Sequence, residues 1–499
     1  MSQNIPGLTV VLPLVGAALV LLIAYKSTRA ARGAAIFFLA LTLTSAMAGL
    51  RHVLVHGTWR YAFGDWMPPL GIEYSLDPLS GVMTVLIAGV ALLVAIYALP
   101  YLREESWLRQ GIFYTLFMLV ASGLLGMSST GDVFNLYVFL EISSLAAYGL
   151  IASGGPRGAV AAFRYLLIGT IAASFYLLGM GYLYMLTGTL NMADLSVLIK
   201  PMLNSTPAVI ALSMIVLGLA IKMAVFPLHG WLPDAYTYSA PPVAAFISAV
   251  MTKVYAYALL RLSYFVFGVS HGPLSPILTV MGWIAVVSII MGSVMAIAQR
   301  DFRRMLAYSS VAQIGYIVLG IAIGNVYALM GAVFHIINHG IMKCCLFLAA
   351  GGIKWNTGQH SILRFAQLSR RMPITMAAFV VAAFSMIGLP PTAGFFSKWY
   401  LALGAVEANA WPYVVVLALS SLLNLLYFFP VIENAYLRKK GGRAGAADAA
   451  AANEGEGMEL PAAMLAPIII LASLILVLGL FNEKIISQIL ILSVPGGGF

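Results

Sequence analysis

Apolar residues in this chain come in long unbroken runs separated by short polar segments. The runs cover 8–25, 33–50, 78–99, 111–127, 133–151, 160–185, 207–226, 243–267, 276–298, 305–323, 326–350, 374–406, 413–431 and 461–481. A helix needs roughly 20 apolar residues to cross a bilayer core about 30 Å thick, and most of these runs meet that length. The pattern predicts an all-α polytopic membrane protein of about fourteen transmembrane helices. The tail 485–494 is too short to span and is expected at the interface. The stretch 441–457, rich in Ala, Gly and Glu, reads as a mobile loop with no fold of its own.

Composition strengthens this reading. Hydrophobic residues make up 62% of the chain and charged residues only 9%, against about a quarter charged in a soluble domain. A soluble enzyme, a nucleic-acid binder and a disulfide scaffold are excluded on that ground. The only cysteines, Cys344 and Cys345, are adjacent within an apolar run, too few for a structural zinc site and poorly placed for a disulfide. The net charge of +10 acquires meaning from its placement. No basic residue precedes the first run, whereas Lys26, Arg29 and Arg32 follow it. This is the reverse of a signal peptide, so the run reads as a retained helix with its N-terminus outside. Fourteen crossings then return the C-terminus to the same side. With that assignment 18 Lys and Arg fall in cytoplasmic loops, among them Arg157, Arg164 and the Arg438–Arg443 cluster. Five fall on the opposite side (Arg51, Arg60, Lys200, Arg261 and Lys484) and four remain within helices. That bias is the positive-inside rule, and it places both termini on the side opposite the cytoplasm.

Two runs are interrupted by proline. In the seventh, KMAVFPLHGWLP (222–233) places Pro227 inside the span; in the twelfth, GLPPTAGFFSK (388–398) places Pro390 and Pro391 there. Proline removes a backbone donor and clashes with the preceding turn, so both helices should break within the membrane. The breaks lie five helices apart, so the two helices run in opposite directions, as an inverted repeat requires. Two ordinary proline kinks are the competing explanation; a lysine beside each break favours the transporter. The chain accordingly divides into helices 1–3 (1–110), helices 4–8 with the first break (111–267), helices 9–13 with the second, oppositely directed break (276–436), the loop 437–460, and the last helix with its tail (461–499).

Ionisable groups are costly in a membrane, about 2.5–3.5 kcal/mol each on insertion scales, and each demands a reason. Glu141 lies in the fifth run, Lys222 just before the first break, Lys253 in the middle of the eighth run and Lys398 just after the second break. His335, His339 and Lys343 recur every four residues in the eleventh, on one helix face. Each has an ordinary alternative. A single lysine such as Lys343 or Lys398 can snorkel to the headgroups, a single histidine can be an interhelical hydrogen bond, and Glu141 with one lysine can be a static ion pair. The whole set beside two broken helices favours function. Its chemistry suits protons: a lysine in a dry site can release a proton, a nearby carboxylate opposes that release, and histidine titrates near neutrality. Histidines 335 and 339 are thus relay candidates, with His229, beside the first break, a lesser candidate for the cytoplasmic mouth. No metal cage, Walker loop, dinucleotide fingerprint or activated nucleophile is present in the sequence, and neither a metal nor a cofactor is expected.

Three segments, QRDFRRMLAYSSVAQIGY (299–316), HIINHGIMK (335–343) and GLPPTAGFFSK (388–398), resemble the antiporter-like membrane subunits of Mrp-type cation/proton antiporters, respiratory complex I and membrane-bound hydrogenases. The resemblance covers roughly residues 75–435. DVFNLYVFLE (132–141) and the length look most like the D subunit of Mrp antiporters. The resemblance implies two inverted five-helix units, an acid–lysine pair at Glu141 and Lys222, and further proton-carrying positions at Lys253, His335, His339, Lys343 and Lys398. It departs from the family where Arg164 and Arg303 stand in place of lysine; arginine does not release its proton, so neither should be a relay. The chain also ends soon after helix fourteen, without the long lateral helix of complex I's most distal subunit.

The first expectation is therefore an ion-translocating subunit of a multi-subunit sodium/proton antiporter, a secondary transporter rather than an enzyme, with other membrane subunits, protons and sodium as partners. The alternative is a proton-pumping membrane-arm subunit of a redox complex, an NADH–quinone oxidoreductase or a membrane-bound hydrogenase. The two share the local machinery and differ in energy source.

Overall fold

A computed structural model describes residues 4–268, 275–437 and 459–495; the segment expected to be a mobile loop lies outside them. Among the described residues thirteen helices are long and apolar enough to cross a membrane. They are α1 (Ile5–Lys26), α2 (Thr28–His56), α3 (Pro78–Tyr101), α4 (Trp107–Ser129), α5 (Val133–Ala152), α6 (Pro156–Thr187), α7a (Thr206–Met223), α8 (Pro241–Val266), α9 (Ser275–Ile297), α10 (Phe302–Ile323), α11 (Val326–Thr357), α13 (Trp411–Tyr436) and α14 (Ala462–Leu480). A fourteenth crossing is made of two 15-residue halves, α12a (Pro373–Ile387) and α12b (Ala393–Glu407). The seventh continues past its break as α7b (Leu232–Tyr238). The protein is an all-α polytopic membrane protein with two broken helices, as the apolar runs and prolines indicate.

Polar residues just outside the apolar runs set the helix ends. Asp77 and Ser80 form a reciprocal capping box on α3. Asp132 accepts from the Asn135 N–H at 2.7 Å on α5, Asp301 from the Arg304 N–H at 2.9 Å on α10, and Asn325 from the Ala328 N–H at 2.9 Å on α11. Each side chain satisfies one of the orphan donors of a first turn. The helices consequently outrun their apolar cores: α6 starts at Pro156 and α11 runs to Thr357.

The most buried helices identify the centre. The whole apolar window of α8 is buried, with 94% of that of α11 and 83% of that of α10. These three carry most of the ionisable row and its partners, so the centre of the row lies in the protein's interior rather than against lipid. Around them α2, α6, α13 and α14 bury 28–39% of theirs, which leaves broad apolar faces outward.

Two features depart from the sequence reading, and a third adds to it. First, a small hairpin joins α2 to α3: β1 (Trp59–Ala62) pairs antiparallel with β2 (Glu73–Leu76) in the register Trp59–Leu76. The hairpin is extended by the turns α4–α5 and α6–α7a, through Gly131 N–H donating to Glu73 O (2.9 Å) and Met192 N–H donating to Gly131 O (2.8 Å). These partners are far apart in sequence, so periodicity cannot reveal them. Second, two arginines assigned to loops are helical and paired. Arg164 lies on α6 and meets Asp234 of α7b at 2.5 Å. Arg261 lies in the last turns of α8, buried, and grips Asp77 with both Nη atoms, Nη2 at 2.8 Å from Oδ1. Third, the tail 482–493 packs against α3 and α11 and buries Ile486 and Leu490.

Candidate ion-translocation row

Lys222 sits in the last turn of α7a. The helix stops there because Ala224 turns left-handed (φ 60°); the Ile221 carbonyl accepts from the Ala224 N–H and from the indole of Trp231, both at 3.0 Å. Lys222 is buried, and its ammonium donates to Ser144 Oγ at 2.8 Å and Tyr148 Oη at 3.4 Å. Glu141 Oε1 stands 3.9 Å away, an ion pair without a direct hydrogen bond, on a side chain 29% exposed. Glu141, Ser144 and Tyr148 lie at helical spacing on one face of α5, so three functional groups of one helix converge on one amine. Ser144 Oγ also lies 3.4 Å from the Tyr255 hydroxyl of α8, which carries polar contacts inward.

Lys253 of α8 is wholly buried. It donates to the Ser248 carbonyl and, at 3.4 Å, to Thr252 Oγ1. A π-helical turn, Ile247–Met251, immediately precedes it, an irregularity that is frequent where a helix serves a functional site. On α11, His335 and His339 stack with ring centroids 5.8 Å apart. Lys343 donates to Leu306 O and Ser309 Oγ of α10, both at 2.6 Å. Neither ring nitrogen of His339 has a hydrogen-bond partner among the described residues, although the ring is fully buried.

The second break holds the far end of the row. Gly388 (φ 93°) ends α12a. The Lys398 ammonium then reaches back from α12b to the carbonyls of Met386 (2.9 Å) and Ile387 (3.0 Å), and to Ser421 Oγ of α13 at 3.3 Å. Carbonyls orphaned by the break thus receive a side-chain donor. Asn424 of α13 donates to the same Met386 carbonyl at 3.0 Å and accepts from Tyr427 Oη at 2.9 Å.

Lys253, Lys343 and Lys398 therefore point inward to protein acceptors, and none snorkels. Polar side chains that the sequence alone does not single out line the row: Ser144, Tyr148, Ser309, Gln313, Ser397, Ser421 and Asn424. A helix-face plot of α5 is enough to show Ser144 and Tyr148 beside Glu141. The partners on α10 and α13 depend on which helices pack together. His229 is also buried and stacks on Phe226 with ring centroids 5.1 Å apart, but it does not line the large cavity of the bundle. That cavity, about 1050 Å³, opens at the end remote from the hairpin and is bordered by Glu105, Arg109, Ser239, Asp301, Arg303 and Lys354. Arg303 ties its wall together by donating to the carbonyls of Tyr236 (2.8 Å) and Ser239 (2.7 Å) that close α7b. These two bonds fasten the guanidinium to the end of α7b.

A family model described as NADH:quinone oxidoreductase/Mrp antiporter, TM, matches residues 130–424, and one described as NADH-Ubiquinone oxidoreductase (complex I), chain 5 N-terminus, matches residues 66–110. The chain is 55% identical over 499 residues to the NADH-quinone oxidoreductase N subunit of Desulforudis audaxviator, covering 99% of each chain. It is 32% identical over 372 residues to the Na(+)/H(+) antiporter D subunit of Alkalihalophilus pseudofirmus, covering 74% of each. A chain in the structure of the Mrp complex from Dietzia sp. superposes with a TM-score of 0.88 at 26% identity, covering 99% of this chain and 98% of that one. The match over residues 130–424 and the 55% identity along both chains show the family: the chain belongs to the NADH:quinone oxidoreductase/Mrp antiporter transmembrane family.

Proposed function

We propose that this chain is a proton-translocating subunit in the membrane arm of a redox complex of the NADH–quinone oxidoreductase type, working beside other membrane subunits in a bacterial inner membrane with both termini outside. One observation carries the choice over the antiporter reading that the sequence placed first. Identity to an oxidoreductase N subunit reaches 55% across essentially both whole chains, whereas identity to an antiporter D subunit is 32% over three quarters. The chemistry of the row fits protons under either reading. One deep carboxylate among four amines is a poor sodium site, since sodium is held by acids and carbonyls. Glu141 steadies a proton on Lys222; Lys253, His339, His335 and Lys343 pass charge through the centre; Lys398 holds it at the second break. The cavity beside Arg303 and Lys354 is the water-filled approach from one side. Redox chemistry belongs to partner subunits, and this chain's part is transport.

The test uses inverted vesicles that contain the assembled complex. Oxidation of an electron donor should acidify the lumen, and the Lys253→Ala variant should abolish this while leaving assembly intact. Proton movement driven by a sodium pulse in the absence of any electron donor would restore the antiporter reading.

A further inference from the structure

His335 lies between two side chains that can exchange hydrogen-bonding roles. Its Nε2 is 3.0 Å from Gln313 Oε1 of α10, and its Nδ1 is 2.9 Å from Ser397 Oγ of α12b. The same Ser397 Oγ is also 3.1 Å from the Gly394 carbonyl, one turn back along α12b. A hydroxyl carries one hydrogen and accepts through its lone pairs, so it can serve only one of these two acceptors at a time.

We propose that Ser397 is a positioning residue for His335, a two-position hydroxyl that keeps both ring nitrogens hydrogen-bonded whether or not Nδ1 carries a proton. In the neutral ring the Nε2–H donates to Gln313 and the Ser397 hydroxyl donates to Nδ1. When the hydroxyl hydrogen swings to the Gly394 carbonyl, Nδ1 is free to take a proton given up by a facing ammonium, Lys398 or Lys253, which becomes the neutral amine, and the new N–H donates to Ser397 Oγ. Release runs the swing backwards. The Gly394 carbonyl tolerates either state, because a carbonyl within the first turn of α12b also faces the N–H four residues on. In a fully buried site an unpaired donor or acceptor is expensive, so a ring matched in both states changes protonation far more readily than one matched in a single state. His339, stacked on His335, has no such partner on either nitrogen among the described residues. The groups that face His335 are Tyr316 from α10 (ring centroids 5.3 Å apart), His339 from α11, and the charges of Lys398 on α12b and Lys253 on α8. Ser397 adjoins Lys398 in sequence, so the swing takes place in the first turns of the helix that follows the second break.

This inference rests on the proton-carrying reading above, and the test separates the two. Proton pumping per donor oxidised is measured in vesicles for wild type, Ser397→Ala, Ser397→Thr, His335→Gln and the double variant His335→Gln/Ser397→Ala, with Glu141→Gln as control. Ser397→Ala should pump about ten- to a hundredfold less, the loss expected when a hydrogen bond to a charged partner is removed. Ser397→Thr, which keeps the hydroxyl, should recover most of it. In the His335→Gln background the alanine change should cost nothing more, because the hydroxyl acts only through that ring. Wild-type pumping by Ser397→Ala beside a dead Glu141→Gln would overturn the hydroxyl's role and leave the function standing. An equal alanine penalty with and without His335 would show ordinary packing and overturn it as well. Full pumping by Glu141→Gln would remove the proton-carrying reading and this inference with it.

Discussion

Replacing Glu141 by Gln keeps the shape of α5 and removes the one carboxylate beside Lys222. The structure sets the size of the effect. At 3.9 Å and an effective dielectric of about 20, opposite unit charges attract by about 4 kcal/mol. The pair has no direct hydrogen bond and the Glu141 side chain is only partly packed, 29% exposed, so relaxation of its surroundings reduces this to about 2 kcal/mol. Each 1.4 kcal/mol is a factor of ten, so the state with a proton held on Lys222 beside Glu141 becomes about thirtyfold or more harder to populate. If that state lies on the transport path, pumping falls by a similar factor. The assay follows dye-reported acidification of inverted vesicles against electron-donor oxidation measured in the same sample, with assembly checked on native gels. Gln retains an oxygen acceptor, and Lys222 keeps Ser144 and Tyr148 as hydrogen-bond partners, so folding should survive. Pumping above half of wild type in a fully assembled complex would refute the reasoning and reduce Glu141 to a structural ion-pair partner, and full wild-type pumping would take the proton-carrying reading of the row with it.

Further substitutions probe other parts of the argument. Lys222→Arg keeps the charge but freezes the proton; activity as low as that of the alanine variant marks Lys222 as a carrier, and near-normal activity marks it as a mere partner for Glu141. Arg261→Leu leaves Asp77 buried without its bidentate partner and should cost about 3–5 kcal/mol, seen as a lower melting temperature of the complex, while the further change Asp77→Asn should recover part of the loss. At Gly394 a Cβ would collide with the Ser385 carbonyl, so Gly394→Ala should spoil the second break and assembly. At Gly181 nothing lies within 4 Å, so Gly181→Ala should be neutral or stabilise α6 by up to about 1 kcal/mol, read from the same melting temperature.

Much of the molecule is legible in one dimension because a bilayer imposes strong local rules. Each crossing must satisfy its own backbone, so a long apolar run can only be a helix. A proline within such a run must interrupt it, and a charge within it needs a compensating role. The fourteen crossings, the breaks at Pro227 and at Pro390 and Pro391, and the row from Glu141 to Lys398 follow from those rules. Residues whose role depends on the neighbouring helix are not legible. Arg261 reads as a loop charge because its partner Asp77 is 184 positions away, and Arg164 likewise meets Asp234 only across α6 and α7b. His229, named from its place beside the first break, stacks on Phe226 and lies outside the lining of the cavity bordered by Arg303 and Lys354, a relation that only the packed bundle defines.

What the sequence alone determined, then, is the set of helices, the alternation of their directions, and which chemical groups are committed to the membrane interior, since all three depend on residue order and on the cost of exposing polar groups to hydrocarbon. The tertiary structure decided which groups meet. Ser144 reaches Lys222, Ser309 reaches Lys343, and Gln313 and Ser397 clasp His335 because α5, α7a, α8, α10, α11 and α12b pack around a common centre. A hydrogen bond is a matter of a few tenths of an ångström and an angle, and only the assembled bundle defines either.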